Sequence, residues 1–205
     1  MNYSSLAFTD AVRDMQEKLG SRKSYARLEN RNYVDGLTEN EMAFISDRDS
    51  FYMATIGENG YPYIQHRGGP KGFVKVLNAT QMGIIDYKGN AQYITVGNIT
   101  DNNHVSVIMV DYPTRTRLKL YASARIVELE DDPVLYEQLR TDGYQFRPER
   151  MMLFDIDAYD WNCPQHITPR YSLEEINKAF ASQRQYILQL ETELKKLKER
   201  PVADE

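Results

Sequence analysis

Phe51-Tyr52-Met53-Ala54-Thr55-Ile56-Gly57-Glu58-Asn59-Gly60-Tyr61-Pro62-Tyr63-Ile64-Gln65-His66-Arg67 reads as a β-hairpin. Phe51 to Ile56 is a short run rich in aromatic and β-branched residues, which suit a pleated, half-buried surface. Gly57 to Gly60 supplies the turn, with an Asn59-Gly60 pair that favours positive φ. Tyr61 to Arg67 returns as the partner strand, and Pro62 stands near its start, where a missing N–H is tolerated. Downstream, the same reading gives strands over Phe73 to Leu77, Gln81 to Tyr87, Tyr93 to Gly97, Val105 to Asp111, Leu118 to Glu128 and Arg150 to Tyr159. Asp132 to Arg140, after an acidic turn, reads as a helix inserted between the last two. Many short strands joined by Gly, Asn and Pro turns predict an antiparallel barrel or sandwich rather than a βαβ sheet.

Both flanks are helical in character. In residues 1–50, Leu6, Val12, Met15 and Leu19 recur at roughly helical spacing, and Gly20 is a natural stop. Thr38 and Glu41 form a capping-box pattern opening a short helix that carries Met42, Phe44 and Ile45. At the other end, Ser172 and Glu175 form a second capping box, and no Pro or Gly occurs from Leu173 to Arg200. Leu173, Ile176, Phe180, Gln183, Ile187, Leu190, Leu194 and Leu197 are spaced 3, 4, 3, 4, 3, 4, 3. That is an a/d heptad seam with one polar interruption, readable equally as a helix laid on its own barrel or as an inter-subunit coil. Pro201 ends it, and the last residues read as a frayed acidic tail. The organisation expected is an N-terminal helical segment (1–50) packed on the β domain, the β domain itself (51–171) and a C-terminal heptad helix with its tail (172–205).

Composition narrows the class. The 205 residues include 25 Lys and Arg against 30 Asp and Glu, a net charge of −5, which disfavours a dedicated nucleic-acid binder. A hydrophobic content of 41% with 27% charged residues fits a folded protein. One cysteine excludes an internal disulfide framework and multi-cysteine metal sites. The apolar runs are strand-length, short of the roughly 20 residues a membrane helix needs. Residues 1–20 lack a continuous apolar h-region. The expectation is a cytoplasmic protein with no membrane or nucleic-acid partner. No dinucleotide fingerprint, P-loop, Gly-x-Ser-x-Gly or His-Glu-x-x-His occurs, and His66, His104 and His166 are far apart, so no metal site is expected.

Four clusters carry possible chemistry. His66-Arg67-Gly68-Gly69-Pro70-Lys71-Gly72-Phe73 joins two strands; its glycines would let backbone N–H groups approach an anion whose charge Arg67 and Lys71 balance, or it is simply a glycine-rich corner with solvated cations. Asp86-Tyr87-Lys88-Gly89-Asn90-Ala91-Gln92 is an ordinary hairpin tip or a second set of donors facing the same anion. In Pro113-Thr114-Arg115-Thr116-Arg117-Leu118-Lys119 the three cations alternate, so an extended chain projects them from one face. Such a row is costly unless solvated or neutralised. Trp161-Asn162-Cys163-Pro164-Gln165-His166 brings the sole Trp and sole Cys beside a His in a loop that would make a lid over a flat heterocycle, although a lone cysteine is more often a buried small hydrophobe.

These clusters, in this order, resemble the pyridoxamine 5'-phosphate oxidase-related FMN-binding proteins. The resemblance runs from about Phe44 to Tyr171. It rests on His66-Arg67-Gly68-Gly69, Gly89-Asn90 with Gln92-Tyr93, Val96-Gly97-Asn98, Asp111-Tyr112-Pro113 through Lys119, and Asn162-Cys163-Pro164-Gln165-His166-Ile167. It implies a mainly β protein with flanking helices: an FMN-binding split β-barrel, usually a homodimer with two flavins at the subunit interface, here followed by a long C-terminal helix. Carried over by position, His66, Arg67, Gly68 and Gly69 run along the isoalloxazine, with Arg67 and Lys71 near the phosphate or ring carbonyls. Lys88, Asn90 and Gln92 lie at the ribityl phosphate, and Arg115, Arg117 and Lys119 approach the same flavin, from this chain or from its partner. Trp161 and Gln165 complete the cofactor set, and His166 is the candidate for substrate contact. A phosphate of charge about −2 needs several donors, and a cation near N1 stabilises the reduced ring.

Three departures bear on activity. The Arg/Trp-rich C-terminal motif that helps true oxidases bind pyridoxal phosphate has no counterpart here. His66-Arg67-Gly68-Gly69 replaces the oxidases' basic-aliphatic run. Ala91 stands where related sequences often carry a basic residue. The first two count against pyridoxamine phosphate as the substrate and the third against phosphate contacts around Asn90; the resemblance implies an FMN-dependent oxidoreductase transferring hydride or electrons between a small-molecule reductant and an acceptor. The alternatives are a non-catalytic flavin or anionic-ligand sensor, or a partner-binding protein working through its heptad helix.

Overall fold

In the computed structural model, residues 2–29 and 35–198 are described. The centre is a seven-stranded antiparallel sheet in the order β2-β1-β5-β6-β7-β4-β3. Its strands are β1 (Ser50–Ile56), β2 (Pro62–Gly68), β3 (Lys75–Asn78), β4 (Gln81–Tyr87), β5 (His104–Asp111), β6 (Thr116–Glu128) and β7 (Pro148–Asn162). The opening hairpin pairs Phe51 with Arg67 and Ile56 with Pro62. At its tip Gly60 alone takes positive φ, +78°. Its N–H donates to Gly57 O at 2.8 Å, while Asn59 Oδ1 accepts the Tyr61 N–H at 3.0 Å. The turn thus uses the glycine of the Asn-Gly pair for its conformation and the asparagine as an acceptor.

Alternation assigns the faces. Phe51, Met53, Val105, Val107, Met109, Leu118, Leu120, Ala122 and Phe154 are buried on the inner face. Their neighbours Tyr52, Ser106, Arg117, Lys119 and Tyr121 point to the outer one, as the period of two requires. Curling of the sheet encloses one large core, and a second, smaller one forms where Leu135 and Leu139 of α6 (Pro133–Leu139) meet Ile85, Met151 and Leu153. Asp132 caps α6 by accepting the Leu135 N–H at 2.9 Å.

The segment expected as a strand from Tyr93 to Gly97 is instead α5 (Ile94–Asp101). Its Ile, Thr and Val mimic a strand locally, but the buried pair is Thr95 and Ile99, four apart, which is the period of a helix lying on a sheet. Trp161 is likewise in β7 rather than in a loop. At the N-terminus α1 (Tyr3–Ala7), α2 (Asp10–Lys18) and α3 (Arg22–Glu29) form a helical cluster. The Leu6, Val12, Met15, Leu19 stripe is exposed rather than turned onto the barrel. Contact with the barrel's outer face comes from Tyr3, stacked on Tyr121 at 4.9 Å.

The C-terminal segment is two helices, α7 (Leu173–Ala179) and α8 (Ala181–Lys198), joined at Phe180, and its apolar stripe is exposed rather than laid on the barrel. The Leu197 side chain of the seam, the Pro201 stop and the acidic tail lie outside what is described. No described helix is long and apolar enough to cross a membrane.

The capping box of α4 (Glu39–Ser46) does more than start a helix. Glu41, 5% exposed, accepts from the Thr38 backbone N–H at 2.9 Å, from the Thr38 hydroxyl, and from Trp161 Nε1 at 2.6 Å. The Trp161 ring in turn meets Phe44 edge-on at 4.8 Å. One carboxylate so pins α4 to the end of β7. Burial pushes the Glu41 carboxyl upward, but the hydrogen bonds from Thr38 and Trp161 outweigh it and hold it below its ordinary value. Burial, and then the Glu41 charge beside it, push the Tyr159 phenol up to about 12. Because the folded Glu41 pKa is depressed, its contribution to stability is present above the ordinary glutamate range and is lost as pH falls through the folded value. Glu41→Gln is expected to cost about 1–3 kcal/mol near pH 7 and to flatten the loss of stability between about pH 5 and pH 3. Urea unfolding at several pH values checks both.

Candidate functional site

The sheet does not close on itself: β2 and β3 are its two edges. A cleft opens beside this split, lined by Tyr63, Gln65 and Arg67 of β2, Asp86 and Tyr87 of β4, residues 89–93 of the following turn, the first turn of α5, and Glu149 and Arg150 of β7. Arg67 shares the inner face with its register partner Phe51, so its guanidinium reaches across the split. Asp86, 5% exposed, receives Arg67 Nη1 on Oδ1 and Arg150 Nη1 on Oδ2 at 3.1 Å. Arg150 Nη2 also lies 3.4 Å from Glu149 Oε2, and Glu149 Oε1 accepts the Tyr93 hydroxyl at 3.3 Å. Thr95 Oγ1 donates to Gln65 Oε1 at 2.7 Å.

Three features of this cleft suit an anion. Arg67 Nε is buried and finds no hydrogen-bond partner among the described residues. Helix α5 has no side-chain cap. The first N–H groups of a helix lack intrahelical acceptors, no side chain caps them here, and the residues that bear them, Ile94, Thr95 and Val96, line the cleft. The turn before it holds two non-glycine residues in left-handed conformations, Ala91 at φ 59° and Tyr93 at φ 53°. Such residues cost on the order of 1–2 kcal/mol each. The Tyr93–Glu149 hydrogen bond and the Arg150 guanidinium, 5.1 Å from the Tyr93 ring centroid, hold the second of them. Donors from a helix end and two arginines converging on one cleft fit a phosphomonoester.

Of the site residues expected from sequence, this cleft gathers Arg67, Asn90 and Gln92; Asn90 Oδ1 accepts the Gln92 N–H at 3.2 Å and shapes the turn. Lys88 is exposed beside it, its N–H bonded to Arg147 O at 2.9 Å. The glycine corner is not an open cradle. Gly69 N–H donates to Asp49 O at 2.9 Å and Gly72 N–H to Arg48 O at 3.3 Å. A Cβ on Gly69 would stand 2.7 Å from Phe73, so close packing explains the glycine. Lys71 pairs with Asp47 at 3.4 Å, and His66 points to the outer face against Tyr52, with Gly68 at the strand end.

Arg115, Arg117 and Lys119 do not meet Arg67 within the chain. Arg115 sits in the β5–β6 turn at φ 55°, and Arg117 and Lys119 project from the outer face. Lys119 pairs with Asp160 at 3.3 Å, whereas the buried Arg117 Nε has no partner among the described residues. Trp161 is occupied by Glu41, and Gln165 and His166 lie on an exposed loop, His166 at φ 63°. Sequence reading missed Arg150, Asp86 and Glu149 as site residues. The available signal was that Asp86 ends an apolar strand, where a buried carboxylate must find a cation.

Comparison with known proteins agrees with this architecture. Residues 37–156, more than half the chain, match the sequence profile of the pyridoxamine 5'-phosphate oxidase family, and the chain belongs to that family. No curated protein matches it in sequence. Among solved structures it resembles HupZ of Group A Streptococcus, at 15% identity over 66% of this chain and 100% of that one, with a TM-score of 0.50. A histidine-to-alanine variant of HupZ gives 16% identity over 62% and 99%, also at 0.50. An FMN-binding protein from Syntrophomonas wolfei gives 13% identity over 73% and 97%, at 0.48. At such identities the HupZ likeness concerns the fold alone, the split barrel with flanking helices.

Removing the shared carboxylate tests the anion site without any cofactor. Asp86→Ala leaves two guanidinium groups facing each other and is expected to cost about 3 kcal/mol. Added inorganic phosphate should restore more of the lost Tm in this variant than it adds to the wild type. Equal phosphate responses in a thermal melt would count against an anion site here.

Proposed function

We propose that this protein is an FMN-dependent oxidoreductase whose cofactor phosphate lies in the cleft between Arg67, Arg150 and the N-terminus of α5. The observation that carries the reading is the unpartnered Arg67 Nε beside an uncapped helix end, in a chain of the pyridoxamine 5'-phosphate oxidase family. Arg67 and Arg150 take phosphate oxygens, and Asp86 keeps both guanidinium planes turned to the cleft. Asn90 and Gln92 hold the turn around the ribityl chain. β2 is an edge strand, so its outward backbone groups are free to hydrogen-bond the carbonyls and N–H of a flat ring laid along it. When bound, FMN supplies the ring that accepts hydride or electrons.

The reading requires a second copy of the chain. Arg117 and Lys119 are separated from Arg67 by the thickness of the sheet, so they reach a flavin only from a partner subunit. The outer face of β1 and β2 exposes Tyr52, Ile56 and Ile64, an apolar surface that a homodimer would cover. Across that interface the unpartnered Arg117 Nε provides the cation near the ring.

The purified protein is expected to be yellow, to bleach with NADH or NADPH and to recolour in air. Arg67→Ala should weaken FMN at least about tenfold, since a charge-assisted bond contributes on the order of 1.5–3 kcal/mol, while leaving riboflavin affinity nearly unchanged. Titration by flavin fluorescence checks this. If the wild type binds FMN and riboflavin equally, the phosphate assignment is wrong. Flavin uptake without turnover of any reductant would favour a sensor.

A further inference from the structure

The flavin reading leaves the apolar stripe on α7 and α8 unused. Ile176, Phe180, Ile187, Leu190 and Leu194 are 39–54% exposed. Their 3-4 spacing is maintained through Phe180, because the Phe180 N–H still bonds to Ile176 O and the Arg184 N–H to Phe180 O, both at 3.0 Å. An a/d seam is complementary to another a/d seam, each knob needing a hole of four residues on a facing helix.

We propose that α8 pairs with α8 of a second copy of this chain as an antiparallel coil. The charges beside the seam carry this choice. Arg184 and Glu191 occupy e positions one heptad apart, and both are exposed. In an antiparallel pair, e positions face e positions. With Ile187 opposite the second copy's Leu190, Arg184 meets the second copy's Glu191, and symmetry repeats the pair. Sliding the helices by one heptad sets Arg184 against Arg184 in one direction and Glu191 against Glu191 in the other, so like-charge repulsion rejects both neighbouring registers. In a parallel pair, e faces g, so Arg184 would meet Ala179 and Glu191 would meet Tyr186; the one opposite-charge position there, Glu193 against the second copy's position 198, falls at the last residue of the helix. The antiparallel register also places Gln183 opposite Leu194, towards the ends of the pair, where its amide reaches water. At 18 residues α8 is short for an independent coil. A barrel dimer would tether the two helices at high effective concentration.

This inference goes beyond the flavin reading, and its test needs no flavin. In the full chain carrying Cys163→Ser, spin labels at Gln189→Cys and, separately, at Lys196→Cys report inter-subunit distances by pulsed electron resonance. The two positions share a helical face. Antiparallel pairing places the 189 labels nearly level and offsets the 196 labels by about 22 Å along the axis. The expected result is a short, narrow distance at 189 and one longer by roughly 10 Å at 196. Arg184→Glu should abolish the narrow distances, and the double swap Arg184→Glu, Glu191→Arg should restore them. Equal distances at the two positions, no defined distance at either, or insensitivity to Arg184→Glu would each overturn the proposal. All the substituted positions are exposed, so circular dichroism should confirm unchanged folding.

Discussion

A barrel that does not close must be held by something other than a strand ladder, and here that is the Asp86 carboxylate. One oxygen takes Arg67 from the edge strand β2, and the other takes Arg150 from β7, so a single buried acid joins the two ends of the sheet. Two unit charges at such separations attract with about 4 kcal/mol at an effective dielectric near 20, but desolvation consumes much of that. What the bridge secures is position. It keeps β2 and β4 close enough to make a cleft, and it fixes the two guanidinium groups that line it. Closure of the fold and construction of the site are the same interaction.

This arrangement divides the cations into two sets that one chain cannot unite. A strand alternates its side chains, so Arg67, sharing the face of Phe51, is committed to the inner side. Arg117 and Lys119 flank the buried Leu118 and are committed to the outer side. No loop motion exchanges them, because a one-residue slip would expose Leu118 and Leu120 together. On the proposed reading the dimer is therefore part of the site itself.

Much of the architecture was legible in the sequence because it is written in short-range periodicities. The alternation of Phe51, Met53 and Thr55, and the capping boxes at Thr38 and Ser172, need only neighbours to be read. Helix α5 was not legible, since Ile94, Thr95 and Val96 prefer strands locally and only the sheet beneath selects Thr95 and Ile99 as a helical face. In the site, Arg67, Asn90 and Gln92 are reached through the family resemblance, because by residue type alone they read as a glycine corner and a hairpin tip. Arg150 is not reached at all, because its meaning comes from β4 lying beside β7, a pairing between residues far apart in sequence. The glycine corner misled for a related reason. Glycines that permit an anion to approach and a glycine that permits Phe73 to approach look identical until the packing is known.

On the proposed reading, Arg150 supplies the charge that a basic residue at the Ala91 turn position would carry. A cation on the turn at 91 would be borne by a flexible exposed side chain and would lose conformational entropy when it met a ligand. Arg150 is instead fixed on β7 by Asp86 on one side and Glu149 on the other, and it lies close to the Tyr93 ring that ends the turn. The same guanidinium thus supports the left-handed Tyr93 and offers charge to the cleft, with little left to order on binding. Glu149 sets the limit of this solution. Its carboxylate orders Arg150 and Tyr93 but adds a negative charge to the cleft wall, so binding must draw on directed N–H donors more than on net positive charge. On the proposed reading, the donors at the end of α5 suit a tetrahedral oxyanion that reaches them beside the Glu149 carboxylate.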